Sequence, residues 1–136
     1  MPKRPVERVR VEVSGVAGDF QKNRKYHGGP DRAICLYSAE LYDWLRTQNI
    51  DLAPGSVGEN FTTAGIDLQS LVAGQRLHVG DCQIELSEVR EPCRNLNRVH
   101  AGLLQAMQGR SGWMARVTQD GWVHAGADIQ IQDESP

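Results

Sequence analysis

The sequence has no long apolar run. None of its 136 residues belongs to a stretch approaching the roughly 18 consecutive apolar residues that a membrane-spanning helix needs. The N-terminal residues lead directly into an alternating pattern, without the apolar segment of a signal peptide. We therefore expect a cytoplasmic protein that does not contact a membrane.

Cysteine is scarce, and its spacing excludes two kinds of stabilising site. Cys35, Cys82 and Cys93 are an odd number without a CxxC pair, which fits a reducing compartment and not a disulfide framework. No cysteine or histidine pair has zinc-ligand spacing such as CxxC or HxxxH, so a structural zinc site is not expected.

The chain also lacks a strong excess of one charge. Its formal net charge of -2 argues against general nucleic-acid binding, which would need a basic excess. One segment, residues 21–32, departs from this balance because it holds four basic residues and one acidic residue. Such a short basic segment suits a small anionic ligand better than a long polyanion.

What remains is the composition of an ordinary globular protein. Hydrophobic residues make up 40% and charged residues 24% of the chain, and 136 residues are enough to bury one core. We predict a single domain over residues 1–136, with a polar, frayed tail at 133–136.

Alternating apolar residues predict a mainly β protein. Gly80 and Asp81 separate two alternating runs as a hairpin turn, and Asp120 and Gly121 predict a second hairpin turn. About six or seven short strands are predicted, with strand patterns at 9–13, 33–37, 77–79, 82–86, 113–117, 122–123 and 129–131, while residues 58–63 begin as a turn and become strand-like. These short strands with inserted helices indicate an antiparallel β-barrel or a strongly coiled sheet.

Two segments have helical spacing. Ser38 is placed to cap a helix in which Leu41, Trp44 and Leu45 share one face. A second helix is predicted from Leu96 to Met107, since its apolar residues keep helical spacing, and Gly109 could close it. We therefore expect two or three helices.

Four stretches are rich in Gly, Arg, His, Asn and Cys: 24–32, 58–61, 90–96 and 109–112. The first ends a long segment, 14–32, without periodicity, and such segments are usually functional or disordered. Its basic residues favour the functional interpretation. Each stretch lies where a regular element starts or stops, so we expect them to gather where binding loops converge on a scaffold.

The stretch around Cys93 organises the others. Pro92 fixes its own φ and donates no hydrogen bond, so the thiol lies on a bend. Arg90 and Arg94 place positive charge nearby, which favours the thiolate that attacks or ligates a metal. The alternative is a small, buried, inert residue filling a turn.

The other stretches suit an anionic heterocycle. Consecutive glycines allow backbone N–H groups to point at an oxyanion, and Arg24, Arg32 and Arg110 would add bidentate donors. Asn60 offers a donor and an acceptor for a heterocycle edge, while the Cys93 thiolate suits a redox-active metal. Together they indicate an anionic heterocyclic cofactor beside a sulfur ligand.

Each stretch also has a plainer interpretation. Residues 28–31 could be only a turn, Glu59 and Asn60 a turn with a satisfied carboxylate, and Gly109 and Gly112 a helix stop and a strand start. His27 is the histidine best placed for chemistry. A Cys93–His27 pair for acyl transfer is conceivable, but no sequence signature supports it.

The ordered set of stretches resembles the MOSC domain, named after the C-terminal part of molybdenum cofactor sulfurase, in its small stand-alone bacterial type. The matching residues, in family order, are Gly18 and Asp19, 27–33, Tyr37 and Ser38, 54–63, Gly80 and Asp81, Pro92 and Cys93, and 109–112. Gly126, Ala127 and Asp128 depart slightly, because the family more often has Gly and Asp adjacent.

The resemblance implies a β-rich, barrel-like fold and the molybdenum cofactor (molybdopterin) as ligand; pyridoxal phosphate binding is also associated with the family. It implies that Cys93 ligates the metal, or carries a persulfide in sulfur-carrier members, and that Cys93 and His27 form the catalytic pair. The implied cofactor-binding residues are Arg24, His27, Gly28, Gly29, Asp31, Arg32, Glu59, Asn60, Arg94, Arg110 and Ser111.

The resemblance further implies reduction of N-hydroxylated small molecules, such as amidoximes and hydroxylated purine bases. Because the sequence has no flavin, haem or iron–sulfur motif, electrons would come from a separate electron-donor protein. Arg90, Arg94 or His27 could stabilise the oxygen as it leaves. Two alternatives stay open: a sulfur carrier or transferase whose Cys93 persulfide comes from a desulfurase, and a cofactor-binding module without its own turnover. The sequence indicates no oligomeric state.

Overall fold

A computed structural model of the chain describes residue 3 and residues 6–16 and 30–132. The chain divides into two compact units, each assembled from three separate stretches. In the described part, the first unit comprises residues 3, 35–70 and 89–113, and the second comprises 6–16, 30–34, 71–88 and 114–132. The single domain over 1–136 stays a prediction, and the tail at 133–136 lies outside the described residues.

Strands dominate the described residues, and the predicted mainly β class with two or three helices is confirmed. The strands are β1 (Arg8–Glu12), β2 (Gly15–Val16), β3 (Ile34–Ser38), β4 (Phe61–Thr63), β5 (Arg76–Val79), β6 (Cys82–Val89), β7 (Trp113–Gln119), β8 (Gly121–His124) and β9 (Ile129–Ile131). The α-helices are α1 (Ala39–Thr47), α2 (Leu96–Val99) and α3 (Leu103–Ala106), and 3₁₀ turns lie at Pro30–Arg32 and Leu68–Ser70. Across the part of the chain that is described, none of the helices combines the length and the apolar character needed to cross a bilayer.

In the first unit, β3 and β4 form a parallel pair joined through α1. Leu36 lies opposite Phe61, and Ser38 lies opposite Thr63. A parallel pair requires a crossover connection, which α1 and the following loop provide. This arrangement brings residues 58–60 to the start of β4, beside β3.

The predicted cap of α1 is confirmed. The Oγ of Ser38 accepts a hydrogen bond from the backbone N–H of Leu41 at 3.0 Å, which satisfies one of the free donors at the helix start. The buried side chains of α1 are Tyr42 and Leu45, while Leu41 packs against the core only in part. The core of the unit consists of Tyr37, Tyr42, Leu45, Ile50, Val57, Leu96, Leu103 and Met107.

The second predicted helix is wrong as a continuous element. The segment forms two short helices, α2 and α3, separated at Gly102, whose φ of 84° is left-handed. Glycine adopts this conformation without a steric penalty, so the backbone breaks there. Leu96, Leu103 and Met107 are nevertheless all fully buried, which explains why their spacing resembled one helix.

In the second unit, the strands pair in two groups. One group has the order β2-β1-β8, and the other has β7, β6, β5 and β9 side by side. The predicted hairpin of β5 and β6 is confirmed, with Val79 opposite Cys82. The first predicted strand ends earlier than expected, because Val13 follows β1 in a turn and is 56% exposed.

The predicted hairpin at Asp120 and Gly121 is wrong. β8 pairs antiparallel with β1, with Val11 opposite Gly121, so the chain passes from one strand group to the other at Asp120. The backbone of Asp81 lies against the start of β8, because its N–H donates a hydrogen bond to the carbonyl of Trp122 at 3.0 Å. A Cβ at position 121 would overlap that backbone, so the crossing requires a glycine.

Candidate functional site

The predicted site residues fall into three groups. Arg24, His27, Gly28 and Gly29 lie outside the described residues, as does most of the segment 14–32. The first unit holds Glu59, Asn60, Cys93, Arg94, Arg110 and Ser111, and the second holds Asp31 and Arg32. Their assignments to catalysis and to cofactor binding stay predictions.

Arg90, the first residue of the Cys93 stretch, contacts a second of the four stretches and the residue that precedes a third. Its backbone N–H donates to the carbonyl of Gly112 at 3.0 Å, and its own carbonyl accepts a hydrogen bond from the Oγ of Ser111. Its Nη2 donates to the carbonyl of Val57 at 2.7 Å, just before the Gly58 stretch. Two of the four stretches therefore meet at Arg90, three residues before Cys93, and a third begins one residue after the contact at Val57.

The guanidinium of Arg90 is buried, with the residue only 8% exposed. Its Nη1 has no hydrogen-bond partner in the described part of the chain. Both carboxylate oxygens of the nearby Glu59 are already bonded to other groups. A buried donor without an acceptor destabilises the fold, so a ligand or a water that accepts a hydrogen bond from Nη1 would be stabilising.

The loop of Cys93 is held at both ends. Arg90 fixes its beginning, and at its end the carbonyl of Cys93 accepts a hydrogen bond from the N–H of Leu96 at 3.1 Å. Leu96 is fully buried, whereas Cys93 is half-buried and Arg94 is exposed. The Cys93 thiol is thus partly accessible on a loop whose ends are fixed.

The other two cysteines are buried. Burial raises the pKa of the Cys35 thiol; the positive charge of Arg90 acts against this, and the charge of Glu59 adds to it. Burial also raises the pKa of Cys82 to about 11. Both groups stay protonated near neutral pH, which leaves Cys93 as the cysteine for thiolate chemistry.

Glu59 is buried and serves as a structural acceptor. Its Oε1 accepts from the hydroxyl of Tyr42 at 2.9 Å, and its Oε2 accepts from the N–H of Gly55 at 3.1 Å and the hydroxyl of Thr62 at 2.7 Å. This is the arrangement expected of a turn with a satisfied carboxylate. It supports the plainer of the two interpretations of Glu59.

Asn60 ties the same turn to β3. Its Oδ1 accepts from the N–H of Cys35 at 2.7 Å, and its N–H donates to the carbonyl of Cys35 at 2.9 Å. Lys3 reinforces the turn, because its Nζ donates to the carbonyl of Gly58 at 2.5 Å. Nothing in the sequence pointed to Lys3, which lies 55 residues away in the chain.

The Gly-Arg-Ser-Gly stretch has mixed roles. The guanidinium of Arg110 stacks on the ring of Trp44 at 4.1 Å, in an exposed position that keeps its charge accessible. The buried Ser111 uses its hydroxyl on Arg90. Gly112, directly before β7, has a φ of 86°, and a Cβ there would overlap the carbonyl of Leu36. Packing therefore requires a glycine at this position.

Tyr37 is a buried side chain of the first unit, and no sequence pattern indicated a role for its hydroxyl group. It is fully buried, and its hydroxyl has no hydrogen-bond partner within the described ranges. Burial and the charge of Glu59 raise its pKa, against the lowering effect of Arg90 and Arg110. The tyrosine therefore presents a neutral O–H donor close to both arginines.

In the second unit, Asp31 has a guanidinium partner and Arg32 has a carboxylate partner. Asp31 lies 3.5 Å from the Nε of Arg116, and its carbonyl accepts from the hydroxyl of Ser87. The Nε of Arg32 lies 3.1 Å from a carboxylate oxygen of Glu88. These contacts anchor the end of the glycine-rich segment, so a ligand at Arg32 would share the guanidinium with Glu88.

The donor set fits a metal that brings most of its own ligands. Among the described residues there is no group of three or more His, Cys, Asp or Glu side chains that could hold a metal ion. A metal at Cys93 would therefore need ligands from an organic cofactor. The first unit holds a partly accessible thiol, Cys93, and buried donors without acceptors among the described residues, including Nη1 of Arg90 and the hydroxyl of Tyr37, a set of groups compatible with an anionic metal-bearing cofactor.

A family model described as the MOSC domain matches residues 23–130. YflK, an uncharacterized protein of Bacillus subtilis (strain 168), is 32% identical over 135 residues, covering 95% of this chain and 61% of that protein. YiiM of Escherichia coli (strain K12) is 36% identical over 126 residues, covering 86% of this chain and 56% of that protein. The chain thus spans about three-fifths of the length of these two relatives.

Two further similarities concern function and fold. A protein of Gibberella moniliformis (strain M3125 / FGSC 7600) named reductase is 34% identical over 132 residues, which are 90% of this chain but 23% of that protein. The crystal structure of YiiM from Escherichia coli superposes with a TM-score of 0.78 at 28% identity, over 96% of this chain and 65% of that one. The predicted fold class is confirmed by this superposition.

Proposed function

The chain belongs to the MOSC domain family, and on this basis we propose that it is a molybdenum-cofactor-dependent oxidoreductase domain that reduces N-hydroxylated compounds. Cys93 is the proposed molybdenum ligand. The observation that carries the proposal is the accessible Cys93 thiol on a loop that Arg90 ties to the two neighbouring family stretches. The relative named reductase supports the reaction class.

The residues proposed to hold the cofactor combine direct and indirect roles. In the first unit, Asn60, Arg94 and Arg110 are proposed to contact it. Asp31, Arg32, Arg24, His27, Gly28 and Gly29 stay candidates that the family resemblance implies. Glu59 and Ser111 would act through the backbone that they fix. When bound, the cofactor supplies a redox centre that delivers two electrons.

The proposed reaction converts an N-hydroxylated nitrogen to N–H and releases the oxygen as water. The N–O bond breaks, and two electrons and two protons are consumed. The exposed Arg94 next to Cys93, together with His27, is proposed to stabilise the departing oxygen. A separate electron-donor protein in the cytoplasm is the proposed source of the electrons.

Elemental analysis tests the ligand assignment. We expect protein made in a host that synthesises the cofactor to carry molybdenum close to stoichiometrically, and the Cys93→Ser variant to lose it. Cys82→Ala is the matched control, because Cys82 is buried and lies in the other unit. Dithionite-driven reduction of a hydroxylamine by the loaded protein then tests turnover.

Three results would contradict parts of the proposal. Molybdenum retained in Cys93→Ser excludes Cys93 as the metal ligand. No molybdenum on the wild type, with Cys93 heavier by one sulfur atom in the mass spectrum, favours the sulfur carrier. Bound molybdenum without reduction of any hydroxylamine or amidoxime tested favours a cofactor-binding module without its own turnover.

A further inference from the structure

We propose that Arg90 is a positioning residue for Cys93: its buried guanidinium and its backbone fix the loop that presents the thiol. The consequence for metal binding rests on the proposed function, whereas the positioning itself concerns the protein without cofactor. The two can therefore be tested separately.

The contacts of Arg90 are made on three sides. The backbone N–H and carbonyl are bonded to Gly112 and Ser111, and Nη2 is bonded to the carbonyl of Val57. Because the guanidinium is buried, moving it would break the bond to Val57 and expose a charged group to a new environment. Arg90 is thus a fixed point directly before the loop.

The first half of that loop runs from Arg90 through Glu91 to Pro92. Pro92 has no N–H to donate, so it cannot anchor the loop by a backbone hydrogen bond. Its ring fixes φ, so the path of the chain after Pro92 depends on where Arg90 is held. On the other side, the bond from Leu96 to the carbonyl of Cys93 fixes the end. With both ends held and a proline between them, the position of the thiol depends on where Arg90 is held.

An arginine suits this place better than a lysine. The planar guanidinium lets Nη2 donate to the carbonyl of Val57 while its charge also acts on Cys35, where it opposes the rise in pKa that burial causes. A lysine keeps the charge but offers one flexible ammonium group. Arg90→Lys should therefore restore part of the positioning, whereas Arg90→Met should restore none.

Alkylation of the cofactor-free protein by iodoacetamide tests the positioning. All variants are alkylated at the same pH and reagent concentration, so that differences between their rates report access to the thiol. In Arg90→Met, we expect the rate at Cys93 to rise about fivefold, since the loop opens when the net contribution of one hydrogen bond is lost. Arg90→Lys should lie between this variant and the wild type.

Two comparisons separate positioning from general loosening. Cys82 is the internal reference, because it is buried in the other unit and its rate should stay unchanged in every variant. Arg98→Met is the matched control, since Arg98 is an exposed arginine of α2 and its loss should not alter the rate at Cys93. Mass spectrometry of peptides assigns each rate to its cysteine.

Ser111→Ala keeps the test valid if Arg90→Met does not fold. It removes the hydroxyl that bonds the carbonyl of Arg90 and leaves the guanidinium in place. We expect a smaller rise at Cys93 in the same direction.

Rates at Cys93 that stay within about twofold of the wild type in Arg90→Lys and Ser111→Ala would overturn the proposal. So would a parallel rise at Cys82. Molybdenum content is measured on the same variants: faster alkylation with lower molybdenum supports both proposals. Faster alkylation when even the wild type binds no molybdenum supports the positioning and contradicts the proposed function.

Discussion

Tyr37 and Tyr42 share one ring contact but differ at their hydroxyl groups. Their rings meet edge to face, with centroids 5.0 Å apart. The hydroxyl of Tyr42 donates to Glu59 and accepts from the N–H of Val57 at 3.2 Å, whereas the hydroxyl of Tyr37 has no partner among the described residues. The same chemical group is therefore stabilising at one position and costly at the other.

Replacing each tyrosine by phenylalanine tests this difference. We expect Tyr42→Phe to lower the free energy of unfolding by about 1.5–3 kcal/mol, because the charged Glu59 loses a buried donor. Tyr37→Phe should leave it unchanged or raise it. Urea denaturation measures both, and an equal loss in Tyr37→Phe would show that its hydroxyl is bonded in solution.

The three cysteines should differ in reactivity in the native protein. At about pH 8, we expect Cys93 to be alkylated much faster than Cys35 and Cys82, whose burial limits access and raises their pKa. In urea, the three rates should become similar. Native alkylation of Cys82 at the rate of Cys93 would contradict the burial described above.

At the scale of elements, two left-handed glycines differ in what surrounds them. Gly102 separates α2 from α3 and has open space where a Cβ would lie, whereas a Cβ at Gly112 would overlap the carbonyl of Leu36 in β3. The first position therefore needs glycine for its backbone conformation alone. The second needs it for conformation and for packing.

Alanine substitutions should separate the two requirements. Gly102→Ala should lower the free energy of unfolding by about 1–2 kcal/mol, the cost of a left-handed residue with a side chain. Gly112→Ala should cost clearly more, because the backbone at Gly112 must also move away from the carbonyl of Leu36. Urea denaturation compares them, and equal losses would mean that the start of β7 yields without strain.

The elements that could be predicted from the sequence depend on neighbouring residues. The hairpin of β5 and β6 and the Ser38 cap are encoded within a few positions, and both predictions are confirmed. The partner of β8 is β1, more than a hundred positions earlier, so no local pattern identifies it. The break at Gly102 was missed because the buried residues on both sides preserve helical spacing.

The same distinction holds for the site. The pattern of glycine, arginine and cysteine identified the Cys93 stretch and residues 109–112, which meet at Arg90; the same arginine also bonds Val57, just before the Gly58 stretch. The pattern could not predict that the side chains of Glu59 and Ser111 form hydrogen bonds within the fold, since their partners are distant in the chain. Nor could it predict Lys3, whose contact with Gly58 has no local signature.

At the scale of the whole molecule, buried cysteine and tyrosine side chains should make the protein less stable at alkaline pH. Burial is the largest cause of a raised pKa at Cys35, Tyr37, Tyr42 and Cys82, which belong to both units. Below their ordinary pKa values, these groups are protonated in the folded and the unfolded chain alike. Above those values, the unfolded chain releases protons that the folded chain retains, so stability falls as pH rises.

Cys82 gives this effect a defined pH range. Its pKa rises from 9.0 to about 11 on folding, so its contribution should be complete below pH 9 and lost progressively up to about pH 11. A shift of about two pKa units corresponds to about 3 kcal/mol of unfolding free energy, since each unit is worth about 1.4 kcal/mol. In Cys82→Ala, which cannot titrate at this position, we expect a smaller fall between about pH 9 and about pH 11, measured by urea denaturation with reductant present. Parallel falls in the variant and the wild type would show that other groups carry the alkaline dependence.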